Sequence, residues 1–298
     1  MLLIGGAGTL GSDILAANLP NFEFFVLDDF QESTLTEIEV SKLCGYKNTN
    51  VANQKSIKEV FLMFKPNVII YLATTLSTNQ NRALESNVLG LSNIIKEASI
   101  DCRPHLIYIQ SFLTRESTNP ITEKTPLVSL DSYSTWKLAG ELLLSSYTGK
   151  KTTVILSSVI SPRISVGAIP AFIKKISSNE KIKITNTSRD YLDTVSFIKS
   201  LEILITHDFK FEQVVIGSGR DASTEEVFKI VSKCLGLKAD NLKFEVTEPK
   251  SADPIKIVLN SSLFQSATKW KPEFDLENQI GKVVKTFLAR ETFVRLHH

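Results

Sequence analysis

Tyr133 and Lys137 stand four residues apart in the segment Asp131-Ser-Tyr-Ser-Thr-Trp-Lys137, so on a helix they share one face. A free tyrosine has a pKa of about 10, and a neighbouring ammonium favours the phenolate. The pair is therefore expected to lower the Tyr133 pKa and to supply a hydroxyl that exchanges a proton near neutral pH.

A second cluster lies at the amino end. Gly6, Gly8 and Gly11 satisfy G-x-G-x-x-G, and Gly5, Gly8 and Gly11 satisfy the G-x-x-G-x-x-G variant, within Met1-Leu-Leu-Ile-Gly-Gly-Ala-Gly-Thr-Leu-Gly11. The missing side chains let the backbone turn sharply and approach a pyrophosphate at a helix N-terminus, with Thr9 and Leu10 inside the turn. A second apolar run, Phe22-Glu-Phe-Phe-Val-Leu27, ends at Asp28, the place from which a carboxylate reaches the adenosine ribose hydroxyls. Such a carboxylate, with Asp29 beside it, repels a 2′-phosphate. No arginine occurs in residues 30–46 to attract one, and NAD is expected over NADP.

These groups need a frame to position them. Residues 56–64 read as a helix, 67–72 as a buried strand, 84–99 as a helix and 106–109 as a strand. Residues 130–147 read as the helix that carries Tyr133 and Lys137, and 152–156 as the strand after it. Strands alternating with helices predict an α/β fold, a doubly wound parallel sheet of Rossmann type with its ligand across the carboxyl ends of the strands. After Pro162 the pattern loosens, with helices over 169–177, 223–235 and 276–288 and strands near 181–185 and 213–216. The expected organisation is a dinucleotide-binding domain over 1–162, regaining a strand near 213–217, and a smaller interleaved C-terminal substrate lobe over 163–298.

Composition narrows the function. The 298 residues are 43% hydrophobic and carry a formal net charge of +2, which implies neither a nucleic-acid footprint nor a membrane-surface patch. No apolar run approaches the roughly 18 residues of a membrane span. The glycines come too early for a signal peptide, so a cytoplasmic protein is expected. Cys44, Cys102 and Cys234 are widely spaced without C-x-x-C, which argues against a disulfide framework or structural zinc. His105 and His207 are the two internal histidines, one before a strand and one after a helix, and no metal site is expected.

Taken in order, the glycine turn, Asp28, Tyr71-Leu-Ala-Thr74, Asn87-Val-Leu-Gly90, Ser111, Tyr133 with Lys137 and Arg189-Asp-Tyr-Leu-Asp193 resemble the extended short-chain dehydrogenases/reductases, the NAD-dependent epimerase/dehydratase family. The resemblance covers nearly the whole chain, including Trp270-Lys-Pro-Glu-Phe274. It implies that Ser111 bonds the substrate hydroxyl or carbonyl and that Tyr133 moves the proton. Lys137 would hold the nicotinamide ribose, and Asn87 would fix a helix near the lysine. It further implies a cofactor site of Gly5, Gly8, Thr9, Leu10, Gly11, Asp28, Asp29, Asn50, Val51, Leu72, Ala73, Thr74, Lys137 and Val159. Ser77, Thr78, Arg82, Ser158, Arg189 and Arg220 would face a nucleotide-diphosphate sugar. A homodimer formed through residues 84–99 and 138–147 is implied as well.

Departures from the family pattern narrow the chemistry. Dehydratases of the family place Asp-Glu after the active-site hydroxyl, whereas Phe112 and Leu113 follow Ser111, which argues against a 4,6-dehydratase. In Val154-Ile-Leu-Ser-Ser-Val-Ile-Ser-Pro162, Ile155 and Ser158 replace an arginine and an asparagine of many relatives. Two enzyme readings remain: a nucleotide-sugar epimerase working through a transient 4-keto sugar, and an NAD(P)H-dependent reductase of a nucleotide-4-keto-6-deoxysugar. The third is a non-catalytic NAD-binding protein of the same fold, disfavoured because the tyrosine and lysine are both kept.

Overall fold

Short runs of isoleucine, leucine and valine, each bounded by polar or glycine residues, become strands buried on both faces. The computed structural model describes all residues except 76–78, 101–102, 208–209, 251–252, 274 and 297–298. The first half contains β1 (Leu2–Ile4), α1 (Thr9–Ala17), β2 (Phe25–Asp28), α2 (Glu37–Ser41), β3 (Gly45–Asn48), α3 (Gln54–Phe64), β4 (Val68–Tyr71) and α4 (Gln80–Leu84). A π-helical turn, Glu85–Leu89, joins α4 to α5 (Gly90–Ile100), followed by β5 (His105–Ser111), α6 (Ser132–Leu144) and β6 (Lys151–Leu156). Next come β7 (Ser158–Ile160), α7 (Ala168–Ser177), β8 (Ile182–Thr185), β9 (Ser188–Asp193), α8 (Thr194–Thr206) and β10 (Gln213–Ile216). The chain closes with β11 (Asp221–Ser223), α9 (Thr224–Cys234), β12 (Phe244–Thr247), α10 (Ser262–Thr268) and α11 (Leu276–Leu296).

Two units divide these elements, the first made of Met1–Glu116, Glu123–Leu156 and Ile198–Val215, the second of Ser117–Thr122, Ser157–Phe197 and Ile216–His298. The first holds the seven-stranded sheet, in the order β10-β6-β5-β4-β1-β2-β3, with β6 through β3 paired in parallel. Strand order reverses beside β1, the switch point at which such sheets open a ligand crevice.

The helices of this unit have local causes. Asn53 caps α3 by accepting the Ser56 N–H at 3.2 Å, Ile57 and Val60 turn inward, and Lys65 in the left-handed region ends the helix before Pro66. Inward faces of α3 and α5 meet Leu2, Ile4, Ile69, Tyr71 and Tyr108 in one apolar layer, where each fully buried large side chain contributes about 1.5–3 kcal/mol. α6 begins with a capping box: Asp131 accepts the Ser134 N–H at 2.7 Å, and the Ser134 hydroxyl oxygen accepts the Leu130 and Asp131 N–H groups at 2.9 Å.

Residues 84–99, read from sequence as one helix, are interrupted by the π turn. The Tyr71 hydroxyl donates to the Ser86 carbonyl there, and an outside donor of that kind competes with the regular helical bond. α2 and β3 lack a helical or strand-like apolar pattern, since β3 reads Gly-Tyr-Lys-Asn on the sheet edge. Sequence periodicity does not reveal them.

The second unit carries a three-stranded sheet, β11-β9-β7, and a pair, β12-β8. Its core gathers Ile169, Phe172 and Ile173 of α7, Val227, Phe228 and Val231 of α9, and Ile280, Val283 and Val284 of α11. Asp190 of β9 is fully buried and accepts the N–H groups of Ser218, Gly219 and Leu259 at 2.8, 2.9 and 3.0 Å. Those bonds fix the turn that leads to Arg220.

Candidate active site

The glycine turn follows β1 directly. Gly5 has φ +74°, and a Cβ there would lie 2.7 Å from the Cα of Ala73, the residue that follows Leu72 at the end of β4. A Cβ on Gly11 would lie 2.4 Å from the Gly6 carbonyl oxygen. Only glycine allows both conformations and approaches. Gly8 caps α1 without a side chain, so the first N–H groups, Thr9 and Leu10 among them, receive no side-chain acceptor from the cap residue. That arrangement fits a pyrophosphate.

Asp28 closes β2 beside this turn. Its Oδ2 accepts the Ala7 N–H at 2.9 Å, and its Oδ1 accepts the Phe30 N–H at 2.9 Å and the Ser33 hydroxyl at 2.8 Å. Burial pushes its carboxyl above the ordinary range, and these three donors counter the shift. A carboxylate has about four lone-pair sites, so it retains capacity for a ribose hydroxyl. Asn50 is committed at both ends of its amide, donating to Glu85 at 2.8 Å and accepting from the Ala52 N–H at 2.8 Å, while Val51 is buried in the core.

At the carboxyl end of β5, Ser111 lies within reach of the Tyr133 hydroxyl and lowers its pKa. Lys137 is buried, donates to the Ile109 carbonyl at 2.9 Å and lies 5.0 Å from the centre of the Tyr108 ring. Asn87, in the π turn, accepts the Thr74 hydroxyl at 3.2 Å and donates to the Ala83 carbonyl at 3.0 Å. The fold thus brings Ser111 of β5 near Tyr133 of α6, with Lys137 four residues further along α6.

The electrostatics differ from the sequence expectation. Burial pushes Tyr133 up to about 12, against the lowering by Ser111, and pushes Lys137 down to about 7. Desolvation disfavours the charged form of each group, and Asp131 raises Tyr133 a little further. Tyr133 at neutral pH is therefore a protonated donor.

A buried network braces this helix. Gln110 donates to the Lys137 carbonyl at 2.9 Å and to Glu141 at 2.8 Å, and its carbonyl oxygen accepts the Ser111 N–H at 2.9 Å. Arg115 grips Glu141 through two bonds of 2.6 and 3.0 Å, both side chains being almost wholly buried. Neither residue stands out in the sequence, because the partners are distant in the chain and each type is ordinarily exposed.

Arg82, expected from sequence in a sugar pocket, is instead held against the loop after β2. Its Nη2 donates to Asp29 at 3.2 Å, its Nη1 donates to Gln31, and its Nε lies 3.2 Å from Glu32. A guanidinium thus reaches Asp29 and Glu32 of the loop after β2 from a helix that sequence order keeps far away. Ser77 and Thr78 lie outside the described residues. Ser158 and Val159 lie on β7 and Arg189 on β9, in one sheet of the second unit, and Arg220 directly precedes β11 of that sheet. Arg189 donates to the Ser188 carbonyl at 2.8 Å. Among the described residues no cluster of histidine, cysteine and carboxylates could hold a metal, and no helix is long and apolar enough to cross a membrane.

Comparison with known proteins agrees with this geometry. The chain is 24% identical over 304 residues to a protein of Methanocaldococcus jannaschii named "Putative UDP-glucose 4-epimerase", covering 95% of this chain and 97% of that one. It is 23% identical over 271 residues to a GDP-L-fucose synthase of Sinorhizobium fredii, covering 80% and 85%. The Bordetella bronchiseptica enzyme WbmG, solved in complex with NAD and UDP, superposes with a TM-score of 0.88 at 26% identity over 97% of this chain and 94% of that one. The profile of the NAD dependent epimerase/dehydratase family matches residues 1–217, and the chain belongs to that family.

Proposed function

We propose that this protein is an NAD-dependent nucleotide-sugar epimerase acting at C4 of the sugar through a transient 4-keto intermediate. The nearness of Ser111 to the Tyr133 hydroxyl, with a buried Lys137 one turn further along α6, carries the reading. NAD, when bound, would supply the hydride chemistry, the oxidation of the sugar carbon and its reduction from the opposite face. Ser111 holds the reacting oxygen; Tyr133, once it has lost its own proton to solvent, takes the sugar hydroxyl proton as a phenolate and gives it back when the ketone is reduced. Ser111 reduces the cost of that phenolate, while burial keeps it the minor form at neutral pH.

The glycine turn and Asp28 support NAD, because they fit the pyrophosphate and ribose hydroxyls, and WbmG was solved with NAD. The substrate class, a nucleotide-diphosphate sugar, rests on the relatives' names. Arg220 on its fixed turn and Arg189 are the cations offered to the diphosphate. The likeness to a GDP-L-fucose synthase keeps a second reading, reduction of a nucleotide-linked 4-keto sugar. A cytosolic homodimer completes the proposal, with Leu89, 45% exposed in the π turn, and Leu142, 59% exposed on α6, on the joining face. Light scattering that gave one chain's mass would remove the dimer.

The test is proton NMR of UDP-glucose and UDP-N-acetylglucosamine incubated with the purified chain and no added reductant. Appearance of the C4 epimer supports the proposal. Consumption of NADH or NADPH with a 4-keto sugar, and no epimer, selects the reductase. Tyr133→Phe is expected to lower turnover by at least 10²-fold with NAD still bound. Unchanged turnover would remove Tyr133 from the mechanism.

A further inference from the structure

In the sheet, β1 lies between β4 and β2, and the glycine turn rises from its carboxyl end. The loops that follow its two neighbours are joined by side chains. The Thr75 hydroxyl donates to Glu32 Oε2 at 2.8 Å, Arg82 Nη2 donates to Asp29 Oδ1 at 3.2 Å, and Arg82 Nε lies 3.2 Å from Glu32 Oε1. Arg82 Nη1 also donates to the Gln31 side chain. Because the joined loops belong to the strands on either side of β1, these links pass across its carboxyl end.

The loop after β2 is also pinned to the glycine turn. The Thr34 and Leu35 N–H groups donate to the Ala7 carbonyl at 2.9 and 3.0 Å, and the Thr9 and Thr34 hydroxyls lie 3.2 Å apart. One end of the loop is thus fixed to the phosphate turn while its outer residues are gripped by Arg82. The Arg82 and Asp29 side chains are 18% and 21% exposed, whereas Glu32 is 47% exposed. The outer link is therefore the one solvent can loosen.

We propose that this strap, centred on Arg82, closes over the adenosine half of the dinucleotide and slows its escape, so that one NAD serves many turnovers. The inference rests on the reading of NAD as cofactor, and it adds the residues that retain it. It also gives Arg82 a role opposite to 2′-phosphate recognition, because its guanidinium is occupied by two carboxylates.

Full-length wild type, Arg82→Gln and Glu32→Gln are loaded with NAD, and exchange against deuterium-labelled NAD is followed by native mass spectrometry without sugar. Exchange about tenfold faster in both variants, with about one NAD bound per chain, is the expected result. Raising the ionic strength is expected to speed exchange in wild type more than in Arg82→Gln. Exchange at the wild-type rate in both variants overturns the strap. Glu32→Gln alters the most exposed of these groups and decides the matter if Arg82→Gln does not fold. Since no sugar is present, failure of C4 epimerisation leaves the exchange result standing, and unchanged exchange leaves the epimerase proposal standing. A wild-type chain that binds no NAD overturns both.

Discussion

Arg115→Met should be among the most damaging single changes outside the reacting groups. The guanidinium makes two bonds of 2.6 and 3.0 Å to Glu141, and the two side chains are 1% and 6% exposed. Removing one partner of a buried pair costs about 3–5 kcal/mol, because the other charge stays buried without its counter-ion. Glu141 would keep the Gln110 and Gln213 amides at 2.8 and 3.0 Å, so Arg115→Met belongs near the lower end of that range. Glu141→Leu is worse. It leaves Arg115 with only its bonds to Thr114, takes one of two acceptors from Gln110 and removes the Glu141 acceptor of Gln213, adding about 1–3 kcal/mol for each donor left unmet. Against a domain stability of about 5–15 kcal/mol, that variant approaches unfolding. The double variant Arg115→Met/Glu141→Leu should lose less than the two singles added, with a coupling of about 2 kcal/mol or more. Urea titration followed by fluorescence of Trp136, which lies on α6, measures each midpoint. A cost below about 1 kcal/mol for Arg115→Met, with additive singles, would refute the view that this pair braces the Tyr133 helix.

Further outcomes follow from single positions. His105, bonded through Nε2 to the Thr152 hydroxyl oxygen at 2.9 Å, is pushed down to about 4 by burial and by the Lys150 charge, from 6.5. Unfolding between those pH values takes up a proton, so its contribution is whole above pH 6.5 and is lost as pH falls toward 4, by about 3 kcal/mol at most. His105→Asn should flatten that part of the stability curve, and an unchanged slope would contradict the burial argument. Lys137, buried and pushed down to about 7 from 10.5, burdens the fold most below pH 7 and least above 10.5. Lys137→Met should therefore melt at higher temperature than wild type, with a gap that narrows as pH rises through that window, while turnover is lost. Gly140→Ala should cost about 1–3 kcal/mol, since its Cβ would lie 2.3 Å from the Tyr108 hydroxyl, and adding Tyr108→Phe should restore part of the loss. Melting curves that fail to separate these two variants would rule out the clash.

What was readable in the sequence followed chain proximity. The glycine turn, Asp28 and the Tyr133/Lys137 pair each depend on spacings within one or two elements, so the alternation of strands and helices was enough to place them. Ser111 came from the family resemblance, which places it at the end of the strand before α6. The Arg115–Glu141 pair escaped notice, and the sequence placed Arg82 toward a sugar and Asp190 only within a motif, because their contacts depend on partners 26 to 69 residues away. Charge type alone makes each of them look like surface. The pKa values escaped for a related reason: spacing brings Lys137 to the face of Tyr133, while burial, which sets both shifts, belongs to the packed unit.

The π turn at Glu85–Leu89 also has a bearing on chain length. A π turn amounts to one residue inserted into a helix, so the side chains before and after it are out of rotational phase by about 100°. Deleting a single residue there would let α4 and α5 fuse into an unbroken helix and still close the loop. It would also rotate Asn87 and everything ahead of it relative to α5. Where two chains of this fold differ by one residue in this helix, the difference is a change of face and cannot be treated as a silent gap.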